Sequence, residues 1–63
     1  MNFEDAVDKA LNFAKRSGYH FARLVSAEKD KDDRWNVMID VGAYKKDIKV
    51  IQISHTGVVS GFK

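Results

Sequence analysis

RWNVMIDV, residues 34–41, is the most regular stretch of this sequence. Apolar and polar side chains alternate along it, and a period of two is the pattern of a β-strand with one face in a core. The apolar face consists of Trp35, Val37, Ile39 and Val41. The stretch therefore predicts a half-buried strand whose apolar face needs a covering layer.

Residues 3–17 are a candidate for that layer, because they have the period of an amphipathic helix. At 100° per residue their apolar side chains fall within one arc of about 160°, and polar and charged side chains fill the rest. Asn2 is a suitable N-cap, and Gly18 can adopt the left-handed conformation that ends a helix. The residues predicted to be buried against the sheet are Phe3, Val7, Ala10, Leu11 and Ala14.

Three further strands are predicted around this one. Residues 19–28 are rich in aromatic and branched side chains, and residues 58–62 form a short last strand at an edge. Residues 48–54 are apolar on both faces, so either a bulge switches the phase of this strand or both of its faces are covered. Polar loops join consecutive strands, and Gly57 suits a tight turn, which predicts an antiparallel meander.

The predicted fold class is therefore α+β in the order α-β-β-β, with a fourth β-strand at the end. One N-terminal amphipathic helix packs on a three- to four-stranded antiparallel meander sheet, giving two layers. The 63 residues allow one domain, residues 1–63, with a thin core. The chain has no Cys and only two His, so we predict no disulfide, no metal site and no cofactor.

Charge and hydropathy indicate a soluble cytoplasmic protein. The formal net charge is +2, and 11 Lys and Arg are interspersed with 9 Asp and Glu, a mixture that favours solubility. No apolar run approaches the roughly 20 residues of a membrane span. The acidic start of the chain lacks the apolar core of a signal peptide. We expect no membrane partner.

The second half of the chain resembles a known family. A strand that contains Trp35 is followed by a loop ending in Asp47, and then by VIQISHTGVVSGF, residues 50–62, a strand-turn-strand unit whose turn ends in Gly57. From Trp35 to Lys63 the chain is similar to PepSY-like domains and to the O-type gas-vesicle accessory proteins. The resemblance implies a cystatin-like helix-on-sheet fold and a non-catalytic interaction role. It implies no particular functional residues.

Enzymatic chemistry has little support in the sequence. There is no glycine-rich phosphate loop, no nucleophile elbow and no pair of histidines at metal-ligand spacing. His20 and His55 could act as acid–base groups with Asp40 or Glu28. A domain of this size has little bulk to form the pocket that such chemistry needs. We therefore predict a protein that is not an enzyme.

Nucleic-acid binding is the alternative to a protein-interaction role. Trp35 and Tyr44 are available for stacking on bases, and several basic residues could share a sheet face or rim. Acidic residues lie close to these bases in sequence and dilute a positive field, so we expect no tight binding. The candidate basic contacts are Arg23, Arg34, Lys45, Lys46 and Lys49.

Self-association or the binding of another protein is the preferred prediction. If the face that carries Trp35 packs on the helix, a second set of apolar side chains points away from it and forms a patch. We expect a homodimer, formed through this second face or through a sheet edge. The residues predicted to form the interaction face are Leu24, Met38, Ile48 and Val50.

Overall fold

The computed structural model describes residues 2–62. One helix comes first and is followed by four strands, which lie side by side in the sheet in their chain order. All neighbouring strands run antiparallel, which confirms the predicted α+β meander and includes the fourth strand. The bounds are α1 Phe3–Arg16, β1 Arg23–Lys29, β2 Trp35–Asp40, β3 Ile48–Ile53 and β4 Val59–Phe62.

The helix begins and ends where its capping residues predict. The Asn2 side chain accepts a hydrogen bond from the Asp5 amide at 2.9 Å, and the Asp5 carboxylate accepts one from the Asn2 amide. At the other end Gly18 has a φ of 97°. This lets the Tyr19 amide donate to the Ala14 carbonyl at 3.0 Å. Local hydrogen bonding therefore sets both helix ends.

A stripe of alanines forms the contact between helix and sheet. Ala6, Ala10 and Ala14 lie four residues apart and are fully buried. Side chains this small let the helix backbone lie close to the sheet, where branched side chains fill the remaining space. The fully buried residues of the sheet are Val37, Ile39, Ile51 and Ile53.

The predicted helix contacts are correct in part. Ala10 and Ala14 are buried, whereas Val7 and Leu11 are half-buried. The prediction is wrong for Phe3, which is 47% exposed. It lies beside the Trp35 ring at a centroid separation of 6.1 Å. The reason is that the alanine stripe occupies the centre of the interface and the larger side chains flank it.

The first strand is shorter than its composition suggests. It starts at Arg23, and residues 19–22 form an irregular connection instead of the predicted strand. Tyr19 packs on Phe62 at a ring-centroid distance of 5.8 Å. The Tyr19 ring therefore packs against the hydrophobic core and is not part of a strand. A bulge between Leu24 and Ser26 then shifts the register of β1 against β2.

The third strand is apolar on both faces, but only one face is covered within residues 2–62. Its pairing with β2 runs without a break over Ile48–Ile53, so no bulge switches its phase. Ile51 and Ile53 are buried in the core, while Ile48 and Val50 alternate with them onto the other face. The predicted bulge is therefore wrong, and full cover of the second face would have to come from outside residues 2–62.

Within the part of the chain that the structure describes, no helix combines the length and the apolar character that crossing a bilayer requires.

Candidate interaction surfaces

The sheet face that points away from α1 carries a continuous apolar strip, and we call this side the open face. Met38 lies directly opposite Val50 on the neighbouring strand, and Ile48 is two residues before Val50. Directly paired side chains on one sheet face touch, and so do neighbours two residues apart. The three residues therefore form one patch at the centre of the open face. Polar residues border it, namely Ser26, Asn36 and Gln52.

Leu24 does not belong to this patch. It pairs with Ile39, which is fully buried under the helix, so the register places Leu24 on the helix side of the sheet. The bulge that follows Leu24 interrupts the alternation that the sequence alone suggests. Leu24 is 39% exposed because it lies on the edge strand. The prediction that Leu24 points away from the helix together with Met38 is therefore wrong.

The remaining three residues offer a limited area. Met38 is 36% exposed, and Ile48 and Val50 are half-buried. Together they present roughly 200 Å² of accessible apolar surface at most, worth about 5 kcal/mol if it were fully buried. The open face is therefore a small apolar patch with a polar border.

A second surface lies at one end of the sheet, and we call it the Tyr44 end. It comprises residues 20–23, where the chain enters β1, and residues 40–47, which join β2 to β3. Arg23 pairs with Asp40 in the sheet, so the register brings these two segments together. Tyr44 is fully exposed on the connecting loop and is followed by the exposed Lys45 and Lys46.

Asp40 organises the loop at the Tyr44 end. Its Oδ1 accepts hydrogen bonds from the Gly42 amide at 3.0 Å and from the Asp47 amide at 3.2 Å. Its Oδ2 accepts one from the Arg23 guanidinium at 3.3 Å. The two backbone amides, Gly42 first, hold the pKa of Asp40 below its ordinary value, and the charges of Arg23 and Lys46 act in the same direction. The carboxylate therefore fixes both ends of the loop.

Gly42 is the other residue on which this loop depends. A Cβ atom at this position would lie 1.7 Å from the Lys45 carbonyl oxygen, a separation that no side chain can occupy. The backbone therefore turns back on itself closely enough to exclude any residue but glycine. The loop presents Tyr44 from a closely packed backbone turn.

A cavity of about 320 Å³ opens between the two segments of the Tyr44 end. Phe21 lines this cavity and is 67% exposed, and the Arg23 side chain is 75% exposed. None of the lining residues is acidic. They are His20, Phe21, Ala22, Arg23, Gly42 and Ala43. Phe21 is not among the predicted site residues, because its place in an apparent strand concealed its exposure.

Other predicted nucleic-acid contacts do not join this group. Arg34 lies at the opposite end of β2, where its guanidinium pairs with Asp30 at 3.3 Å and with Asp32 at 3.2 Å. Trp35 is half-buried at that same end. Lys49 pairs with Ile39 on the helix side of the sheet and is half-buried. Of the predicted set, the structure brings together Arg23, Tyr44, Lys45 and Lys46.

The candidate acid–base groups are dispersed. His20 lines the cavity at the Tyr44 end, whereas His55 lines a cavity with Trp35 at the other end. The Asp40 carboxylate is occupied by two amides and a guanidinium. Across residues 2–62, no group of three or more metal-ligating side chains comes together.

Comparison with known proteins does not assign a family. The resemblance of residues 35–63 to PepSY-like domains therefore stays a prediction. No family model, curated protein or solved structure matches the chain.

Proposed function

We propose that this protein is a non-catalytic interaction module of the cytoplasm that forms a homodimer through the open face of its sheet. The observation that carries the proposal is the cross-strand pair Met38–Val50, extended by Ile48, on a face that α1 does not cover. A single helix can cover one face of a sheet, and this sheet has apolar side chains on both.

The open face is a better candidate for the dimer interface than either sheet edge. The edge strand β1 has a bulge between Leu24 and Ser26, and the edge strand β4 has four residues and a register shift of its own. Bulges and short strands interrupt the row of free amides and carbonyls on which edge-to-edge pairing depends. The face offers side-chain packing that needs no further backbone pairing.

A second copy of the chain also suits the charges around the patch. Arg23 and Glu28 lie near opposite ends of β1, and their partners Asp40 and Asn36 both belong to the open face. A two-fold axis in the interface plane and across the strands would stack β1 on β1 in opposite directions. Arg23 of one subunit would then lie over Glu28 of the other, with Met38 near the axis.

The dimer is expected to be weak. Burying the two apolar patches contributes about 10 kcal/mol in total, and association costs about 4–15 kcal/mol in lost freedom. With an association cost at the lower end of this range, about 4–5 kcal/mol, the dissociation constant is on the order of 100 µM, so the dimer is populated only in concentrated solution.

Sedimentation equilibrium over a range from about 10 µM to 1 mM would test this proposal. The mean mass should rise from monomer toward dimer with concentration. Val50→Lys and Met38→Lys should each keep the protein monomeric, because they place a charge in the buried patch. Asn12→Lys adds the same charge on the exposed side of α1 and should dimerise like the parent.

Two results would contradict the proposal. One is a parent protein that stays monomeric across the whole range. The other is dimerisation of Val50→Lys and Met38→Lys as strong as that of the parent, which would move the interface elsewhere. Circular dichroism of each variant shows whether it is folded before its mass is interpreted.

A further inference from the structure

We propose that the Tyr44 end is a binding site for single-stranded nucleic acid, in which bases stack on Phe21 and Tyr44 and phosphates contact Arg23, Lys45 and Lys46. The site shares no residue of the apolar patch with the open face, but it shares Arg23 with the border of the proposed dimer interface. It uses four of the residues predicted as nucleic-acid contacts and replaces Trp35 with Phe21 as a stacking partner.

The exposed aromatic rings are the first support for this assignment. Tyr44 is fully exposed and Phe21 is 67% exposed, and they are the two most exposed large hydrophobic side chains among the described residues. Single-stranded nucleic acid offers flat, apolar base surfaces that such rings can cover, whatever the base.

The charges are the second support. Arg23 lines a cavity that has no acidic lining residue, and Lys45 and Lys46 are exposed on the loop whose residues Gly42 and Ala43 line the same cavity. Two carboxylates belong to the Tyr44 end. Asp40 is engaged by two backbone amides and by one guanidinium nitrogen of Arg23, and Asp47 lies 3.9 Å from the Lys49 ammonium group. The other Arg23 donors are free to contact a phosphate, because the side chain is 75% exposed.

The shape of the site is the third support. The cavity of about 320 Å³ lies at the lower limit of small-molecule sites, so it can admit a single base and sugar. Asp40 and Gly42 hold the loop beside the cavity, so the loop backbone should lose little conformational entropy on binding. An acidic polypeptide would satisfy the charges but would leave the two rings without a stacking partner.

The affinity of such a site is modest and depends strongly on salt. Three phosphate contacts on a single strand give a slope of roughly −2 in log affinity against log salt. Binding should therefore be about 70-fold tighter at 20 mM than at 150 mM salt. Sub-micromolar binding at physiological salt is not expected.

Fluorescence anisotropy with fluorescein-labelled 12-nucleotide oligo-dT and oligo-U would test the site. Tyr44→Leu and Phe21→Leu should each weaken binding about fivefold or more, while Tyr44→Phe and Phe21→Tyr, which keep a ring, should bind like the parent. Lys45→Gln and Lys46→Gln should each flatten the salt slope by about 0.7. Lys31→Gln removes the same charge at the opposite end of the sheet and should have no effect.

A labelled 12-residue polyglutamate serves as the competing anion. It should bind more weakly than the oligonucleotides, and its binding should be insensitive to Tyr44→Leu. Polyglutamate binding equal to that of the oligonucleotides would overturn the proposal in favour of an acidic polypeptide site. Oligonucleotide binding that is undetectable at 20 mM salt, or unchanged in both leucine variants, would also overturn it.

Discussion

The two faces of the sheet carry similar side chains but have different surroundings. On the helix side Ile51 and Ile53 are fully buried, whereas on the open face Ile48 and Val50 of the same strand are half-buried. Met38, Ile48 and Val50 on the open face are therefore as apolar as core residues, but α1 does not cover them. The contrast shows that the apolar content of a strand does not by itself determine how much of it is buried, because one short helix can cover one face only.

The strongest way to test this contrast is to truncate matched isoleucines of β3. Ile51→Ala should lower the free energy of unfolding by about 2–5 kcal/mol, because it leaves a cavity under the helix. Ile48→Ala removes the same atoms from the open face and should cost about 1 kcal/mol or less. Urea titrations near 10 µM protein, where monomer dominates, measure both. Equal losses would mean that the open face is covered within one chain.

A second test adds side-chain atoms on the covered face instead of removing them. Ala10 is fully buried between α1 and the sheet. Ala10→Leu should push the helix away and destabilise the protein by about 1–3 kcal/mol, because the interface has no space for the added atoms. Asn12→Leu makes a comparable change on the exposed side of the helix and should leave the urea midpoint almost unchanged. A stable Ala10→Leu protein would show that the helix lies farther from the sheet.

Leu11→Ala probes the flank of the same interface. Leu11 is half-buried beside the alanine stripe, so its truncation should cost about 2 kcal/mol, near the lower limit for leucine. Thermal unfolding followed by circular dichroism provides the comparison. A loss as large as that of Ile51→Ala would place Leu11 in the centre of the interface. No loss would mean that the helix presents a different face to the sheet.

The helix and the meander are predictable because their signals are local. Asn2 and Gly18 mark the helix ends through hydrogen bonds within a few residues. The alternation from Trp35 to Asp40 identifies β2 without knowledge of its neighbours. Met38, Ile48 and Val50 also follow from alternation, and the register places all three on the open face as expected.

The errors arise where distant contacts override a local pattern. Tyr19 has the composition of a strand residue but packs on Phe62, which is 43 positions later in the chain (62 − 19). Leu24 lies on the helix side, and not on the open face as predicted, because a bulge follows it. No residue type at that position indicates a bulge. Phe21 at the Tyr44 end becomes a candidate only when residues 20–23 are seen to leave the sheet and flank Gly42.

The smallest expected effect is on stability at low pH. The two faces should differ in this respect, because only the open face depends on an ionisable group. The helix side is held by apolar contacts that do not titrate, whereas the end of the open face depends on the Asp40 carboxylate. Because the pKa of Asp40 is lowered from its ordinary value of 3.8, ionised Asp40 stabilises the fold above that value. This stabilisation should be lost as pH falls below about 4 toward the folded-state pKa.

Asp40→Asn should therefore be less stable than the parent at pH 7 and should lose less stability between pH 5 and pH 2. Some acid dependence should remain, since the Asp30 pKa is also lowered, chiefly by the Arg34 amide that donates to its carboxylate at 3.0 Å. Unfolding midpoints measured across this pH range give both quantities. Asp8→Asn, on the exposed side of α1, is the control for the loss of one negative charge. An Asp40→Asn profile parallel to that of the parent would mean that Asp40 holds its loop by hydrogen-bond geometry alone, with no contribution from its charge.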